Sequence, residues 1–436
     1  MVPRFPTGPQ NNGDLMRPKT TPRLVLAVVC AAVTALSACG SGDAGGGKIK
    51  LSLGLFGNFG YTDLIKEYQA AHPDIEITER TAAYSDHHKN LAAHLATGGG
   101  AADIEAIDTG YVAQFKATPD KFVDLNTVGG DKLKDRWLGW KWAASLGKGG
   151  QQIGYGTDVG GLAICYRRDL FEKAQLPTDR DAVSALWPTW QAFFETGKRF
   201  QAKAPNGVKF MDGGPTVLNA IFGQAPVGYY DRNDQLVVDS NPALRTGWDQ
   251  VVDAVKANLS AGLLYSTPTW NTGFTQGQFA TVTCPAWMMT KIKDQAPDTA
   301  GKWDVATVPG GGGNWGGSYL TVPKSGKHTK EAAELAAWLT APEQQAKVFT
   351  SQGLLPSTPS LYDDPKITGY TNPFFNNAPV GKVFTDAAKK LNPQYQGPKA
   401  GDVQTEFGNA MQRVEQGKQD GAAAWEQLVG DVSKLK

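Results

Sequence analysis

The chain has 436 residues, with 43 Lys plus Arg against 42 Asp plus Glu, a formal net charge of +1. That balance excludes the strongly basic surface of a nucleic-acid binder or polyanion receptor. The length is too great for one typical domain and about right for two.

The N-terminal stretch reads as a targeting segment. Arg17, Lys19 and Arg23 form a basic region, and Leu24 to Leu36 form an apolar run too short to span a bilayer comfortably. Ser37 and Ala38 directly before Cys39 resemble the lipobox of bacterial lipoproteins, in which the thiol is diacylated and becomes the new N-terminus after cleavage. A plain secretory signal is the alternative, but it leaves Cys39 without a role. The Gly-rich run from Gly40 to Gly47 reads as a tether, and Met16 competes with Met1 as the start. Removing 38 of the 436 residues leaves 398, with 39 basic and 41 acidic side chains and a net charge of −2. Past the anchor no run reaches the length of a membrane span, and a soluble, extracytoplasmic protein is expected.

Of the four cysteines, only Cys165 and Cys284 remain after the signal and the lipid take Cys30 and Cys39. In an oxidising compartment they either pair or stay as two buried thiols, and the disulfide is preferred.

The mature chain opens with a strand, KIKLSLGLF from Lys48 to Phe56. Thr62 is expected to cap a helix bearing Leu64, Ile65 and Tyr68, closed by Pro73. A strand from Ile75 to Thr78 follows. Ser85 is expected to cap a second helix through Leu91 and Leu95, ended by Gly98 to Gly100, before the strand AADIEAID. The β-α-β-α-β order predicts a parallel sheet with helices on its faces. YGTDVGGLAICYRRDLF is strand-like with flexible glycines, and helices are expected from Trp190 to Phe200 and from Pro242 to Leu259. GQFATVTCPAWMM is a strand running into a Trp-bearing turn, and WDVATVPGGGGNWGGSYLTVPKSG is strand and Gly-rich loop. From Thr329 a pair of amphipathic helices follows, with Pro342 at a first-turn position. Val403 to Leu435 is helical, with breaks expected at Gly408, Gly417 and Gly421.

This order of pieces resembles the extracellular solute-binding proteins of ABC importers, in the branch containing the maltose- and cellobiose-binding proteins. LATGGGAADIEAIDTGYVAQF resembles the family's helix, strand and acidic ligand contact, here Asp108. VGGLAICYRRDLFEKAQLP resembles its first inter-lobe strand, with Arg167, Arg168 and Gln175 where Asn, Lys and Gly are usual. GQFATVTCPAWMM resembles the strand leading to a ligand-facing Trp, and EAAELAAWLTAPEQQAKVF with GLLPS resembles the family's most recognisable stretch. The similarity runs from about Lys48 to the C-terminus. It implies an α/β, two-lobe periplasmic-binding-protein-like (type II) fold with three inter-lobe crossovers. The expected lobes are residues 48–157 with 318–370, and residues 158–317 with 371–436. It further implies an oligosaccharide ligand captured by hinge closure, a permease partner with a separate ATPase, a monomer, and no cofactor or metal. CYRRDLF, TCPAWMM and WDVATVPGGGGNWGGS are most similar to the cellobiose and cello-oligosaccharide binders, with malto-, xylo- and other β-linked sugars as alternatives.

A sugar presents hydroxyls at its rim and apolar C–H patches on its faces, so its site needs aromatic platforms and planar polar groups in one cleft. Trp287, Trp315 and Trp270 with Asn271 lie in Gly- or Pro-marked loops and are the expected platforms and contact; Trp338 and Trp425 sit at helical spacing and are packing residues. On the other lobe Asp108 is expected to accept two sugar hydroxyls and to double as a helix N-cap. Asn58, Phe59, Tyr84 and Tyr111 are further candidates, with Asp158 at a crossover and Asp212 in FMDGG.

Other chemistries lack their residues. The glycines at 310–313 do not precede Lys-Ser/Thr, so no P-loop is present, and no Gly-x-Ser-x-Gly elbow occurs. His87, His88 and His94 lack an i,i+4 pair and read as a solvated helix face. A glycoside hydrolase would need two carboxylates across a cleft; Asp103, Glu105 and Asp108 are expected to share one strand face, with no partner opposite. A sensor or adhesin without a permease is the remaining alternative.

Overall fold

The computed structural model describes residues 47–435; the signal segment and Cys39 lie outside the described residues. The first sheet contains β1 (Ile49–Leu55), β2 (Ile75–Thr81), β3 (Ile104–Asp108), β4 (Gly154–Gly156) and β10 (Ser318–Thr321), in the order β2-β1-β3-β10-β4. β1 runs parallel to both β2 and β3, as the alternation of strands and helices predicts, and β10 enters antiparallel between β3 and β4. β1 alternates in sequence, yet its last five residues are all buried. Helices cover both faces of a parallel sheet, so both strand faces lose water.

Two helices join these strands: α1 (Thr62–Ala71) and α2 (Tyr84–Thr97). Neither expected N-cap acts as one. Thr62 and Ser85 lie inside their helices, and the cap positions are Tyr61 and Ala83, with no side-chain cap bond. Gly98 does close α2, at φ +76°, with its N–H on the His94 carbonyl. A third helix, α3 (Thr109–Lys116), starts directly at the end of β3.

The second sheet is β7 (Lys209–Met211), β8 (Phe279–Pro285), β6 (Leu162–Arg167) and β9 (Trp303–Thr307), in that order. β6 and β8 are buried along their whole length and pair antiparallel. Cys165 and Cys284, on these neighbouring strands, form a disulfide with Cα atoms 5.4 Å apart. Around this sheet a large aromatic core gathers Trp187, Trp248, Trp303, Phe193 and Phe210, together with Phe349, Leu355 and Ile367 from the later part of the chain. The first sheet has its own core, including Leu53, Ile104, Trp137, Leu320 and Leu335.

The chain leaves the first sheet after β4 through β5 (Asp158–Val159) and returns between β9 and β10. These passages are bonded to each other. Thr157 N–H donates to Ser318 O at 2.9 Å and Trp315 N–H to Gly160 O at 2.9 Å. A Cβ on Gly160 would sit 1.8 Å from the Trp315 carbonyl oxygen, so only glycine fits this approach. A short strand, β11 (Leu355–Pro356), pairs with β5. Pro342 opens the helix Pro342–Gln352 as expected. Gly408 does not break the C-terminal region: the helix Ala400–Glu415 runs through it, and the break comes at Gly417, with φ +65°. Glycine weakens a helix by only about 1 kcal/mol, which tertiary packing overrides.

Candidate ligand-binding site

β3 ends in Asp108, which caps α3 through a Gly110 N–H···Oδ1 bond of 2.7 Å. The same oxygen accepts from the Tyr84 hydroxyl at 2.9 Å, where Tyr84 opens α2. Oδ1 is therefore occupied. Oδ2 is the oxygen left for ligand, and its two lone-pair positions keep room for sugar hydroxyls. Burial raises the Asp108 pKa to about 6, although the Gly110 N–H and the Tyr84 hydroxyl both favour the ionised form.

On the opposite side β8 runs into Trp287, which precedes the helix Met288–Gln295. The two sides meet at Gly316, at φ +93°. A Cβ there would lie 3.4 Å from Trp287 Nε1 and 3.8 Å from Asp108 Oδ2. Asp108 and Trp287, from different sheets, thus converge on one backbone position that carries no side chain. The Trp287 indole N–H donates to Trp315 O at 3.1 Å, which spends its donor and leaves its ring for apolar contact. Trp287, Trp315 and Tyr265 form an aromatic cluster, with centroids 5.3 Å apart for Trp287–Trp315 and for Tyr265–Trp315. Trp315 itself is buried.

The other candidates divide. Tyr111 is buried, stacked on His88 at 4.1 Å and 5.6 Å from Tyr84. Phe59 is buried beside Phe56, whose ring also meets Tyr84. Asn58 is bonded to Gln352 and to its own turn at Gly60. Asn271 lies in the helix Pro268–Gln276, with its Oδ1 buried and unpaired. Trp270 and Asp212 offer no surface at all: both are 0% exposed, and the Trp270 N–H donates to Asp212 Oδ2 at 2.7 Å. The Pro-marked loop expected around Trp270 is a helix that turns this ring inward.

The fold is shared with known proteins. The model for bacterial extracellular solute-binding proteins matches residues 63–376. A crystal structure described as an extracellular solute-binding protein, family 1, is 47% identical, with a TM-score of 0.78 over 88% of this chain and 99% of that one. The chain belongs to this family. An arabinooligosaccharide-binding protein of Halalkalibacterium halodurans is 22% identical over 76% of both chains. The ABC transporter-associated binding protein of B. animalis subsp. lactis Bl-04, solved with β-1,6-galactobiose, shares the fold at 18% identity, with a TM-score of 0.74 over 88% of this chain and 98% of that one.

In this solute-binding protein Asp158 is buried in the passage between the two sheets. Its Oδ1 accepts from Thr157 Oγ1 at 2.7 Å and from Ser318 N–H at 3.0 Å, so it ties the two passages together. Lys141, fully buried, donates to Thr109 Oγ1 at 3.3 Å and lies 4.0 Å from the Tyr319 ring centroid. Burial lowers its pKa to about 8, opposed by Asp158 and Asp108.

The histidine reading is corrected. His87 and His88 are buried, and only His94 stays partly exposed on α2. His88, Leu91 and Leu95 share one helical stripe, and both histidines find backbone partners: His87 Nε2 meets Ala106 O at 2.7 Å, and Asp108 N–H donates to His88 Nε2 at 3.0 Å. The carboxylates of β3 are corrected as well. A strand's period of two separates Asp108 from Asp103 and Glu105; Asp103 is bonded to Ser52, and Glu105 accepts from Ala102 N–H. Sequence reasoning missed Tyr265, Phe56, His88 and Lys141. Leucine spacing on α2 was the available signal for His88, whereas nothing local marks Lys141.

Among the described residues no group of three or more His, Cys, Asp or Glu is placed to hold a metal ion, and no helix is long and apolar enough to cross a membrane.

Proposed function

We propose that this protein is the substrate-binding component of an ABC sugar importer, capturing an oligosaccharide between two lobes and delivering it to the permease. The convergence of Asp108 Oδ2 and Trp287 on Gly316 supports it most: a carboxylate acceptor from one sheet and an aromatic face from the other match a sugar's hydroxyl rim and C–H face. The first lobe is built on residues 48–157 with 318–370 and the second on 158–317 with 371–436, except that Phe349, Leu355 and Ile367 of the 318–370 segment pack in the second core. Ligand touches both only when they close, so binding shifts an open–closed equilibrium about the Asp158–Ser318 passages. The sugar leaves unchanged, with no enzymatic step. A separate ATPase drives transport, and the binding protein acts as a monomer held at the extracytoplasmic membrane face by lipid on Cys39.

Cellobiose or longer cello-oligosaccharides are the favoured cargo, on the resemblance of CYRRDLF, TCPAWMM and WDVATVPGGGGNWGGS. The ligands named for the relatives add arabino- and galacto-oligosaccharides to the series. Calorimetric titration with cellobiose, cellotriose, maltotriose, xylobiose, arabinotriose and β-1,6-galactobiose, followed by product analysis, tests the reading. Micromolar or tighter binding to one series without product supports it; released product favours a hydrolase, and no binding to any of them contradicts it.

A further inference from the structure

His88 sits behind the site, touching no ligand surface, yet it is bonded to both residues that form the first-lobe corner. Its exposure is 2%. The Asp108 N–H donates to Nε2 at 3.0 Å, so that nitrogen carries no proton. The proton of a neutral ring is then on Nδ1, which faces the Tyr84 carbonyl oxygen at 2.7 Å, a group that only accepts. One imidazole therefore joins the backbones of Tyr84 and Asp108, the residues whose side chains bond to each other at 2.9 Å. Stacking on Tyr111 at 4.1 Å and 13° fixes the ring plane, and the tilted Phe56 ring packs against it with a centroid 4.9 Å away.

The bond pattern this enforces has a consequence for the ligand. The single hydroxyl proton of Tyr84 is spent on Asp108 Oδ1, which also takes the Gly110 N–H. What the corner has left for the cleft is acceptors: Asp108 Oδ2 and the lone pairs of the Tyr84 hydroxyl. We infer that His88, as its Nδ1–H tautomer, is a positioning residue that holds Tyr84 and Asp108 as an acceptor-only pair, which selects neutral sugars offering hydroxyl donors and rejects sugar acids. The inference deepens the sugar-binding reading and rests on it. Were His88 to turn over to the Nε2–H tautomer, two N–H groups would face each other at Asp108, and the end of β3 would have to move.

The test uses the full chain and two substitutions, His88→Phe, which removes both ring nitrogens, and His88→Gln, whose amide oxygen keeps an acceptor at the Nε2 position. Long-range 1H–15N spectra of the ligand-free protein are expected to show His88 protonated at Nδ1 and bare at Nε2; a proton on Nε2 overturns the inference. Against whichever sugar of the six-sugar titration panel the wild type binds best, His88→Phe is expected to bind at least tenfold more weakly and His88→Gln to recover most of the loss. Equal affinity of the wild type and His88→Phe overturns the positioning role, as does binding of digalacturonate as tight as that of the neutral sugar. The two readings fail separately. A wild type that binds none of the six sugars of the titration panel refutes the sugar reading and the role for His88 with it, whereas sugar binding that is lost in Asp108→Asn but retained in His88→Phe refutes the inference alone.

Discussion

The indole N–H of Trp270 donates to Asp212 Oδ2 at 2.7 Å, and neither side chain has any exposed surface. The bond closes a buried polar pair, with Thr216 Oγ1 on the other carboxylate oxygen at 2.7 Å. Trp270→Phe keeps an aromatic ring, smaller than the indole, and leaves a buried carboxylate short of a donor, an effect worth about 1–3 kcal/mol. Denaturant titration is therefore expected to show a loss of that size, while sugar affinity stays within twofold of wild type. A large affinity loss with unchanged stability would return Trp270 to the cleft.

Asp108 is expected to set the pH dependence of binding. Its pKa, raised to about 6 by burial, lies above the ordinary 3.8, and ligand hydroxyls need the ionised Oδ2. Affinity is expected to be constant above about pH 7 and to fall below pH 6, by at most about tenfold per pH unit for one proton. Because the folded value is the higher one, this ionisation opposes folding above pH 6. Asp108→Asn is accordingly expected to bind weakly with a flat pH profile, yet to melt no lower than wild type at pH 8. Calorimetry and thermal melts across pH 5 to 8 check both halves.

His88 titrates in the opposite sense. Burial holds its pKa down to about 3, against an ordinary 6.5, so the unfolded chain takes up a proton that the folded one refuses. The stability this group contributes is present above pH 6.5 and is lost as pH falls toward 3, by about 1.4 kcal/mol per pH unit. Chemical denaturation between pH 6 and pH 4 is expected to give a shallower decline for His88→Gln than for wild type, by one proton's slope; parallel declines would show that His88 is protonated in the fold.

The fold was legible where pattern is local. Alternating strands and helices from Ile49 to Asp108 follow from apolar spacing and glycine stops, and Asp108 was recognisable both as an N-cap and by resemblance. The cap positions of α1 and α2 were not: they fall one residue before Thr62 and two before Ser85, at Tyr61 and Ala83, which supply no side-chain acceptor. The site was legible by half. Trp287 follows a strand whose every residue is buried, and that pattern marks it. Tyr265 meets Trp315, 50 residues further on, Lys141 meets Thr109, 32 residues back, and His88 meets Asp108, 20 residues further on, and no spacing in the sequence encodes such meetings.

The Cys165–Cys284 bond joins neighbouring strands 119 residues apart in sequence. Closing a loop of that length restricts the unfolded chain, and removal is expected to cost about 2–5 kcal/mol. The double variant Cys165→Ala, Cys284→Ala is therefore expected to melt well below the oxidised protein, and adding reductant is expected to leave that variant unaffected. A variant as stable as wild type would mean that the strand pairing needs no covalent support.

The central claim is that ligand is held between Asp108 and an aromatic face on the other sheet, and Trp287→Ala addresses it most directly. Calorimetric titration of this variant with the sugar that wild type binds best is expected to show a loss of at least about 2 kcal/mol, as for a desolvated aromatic anchor. Affinity within about 1 kcal/mol of wild type would contradict the account, because no sugar ring then rests on Trp287.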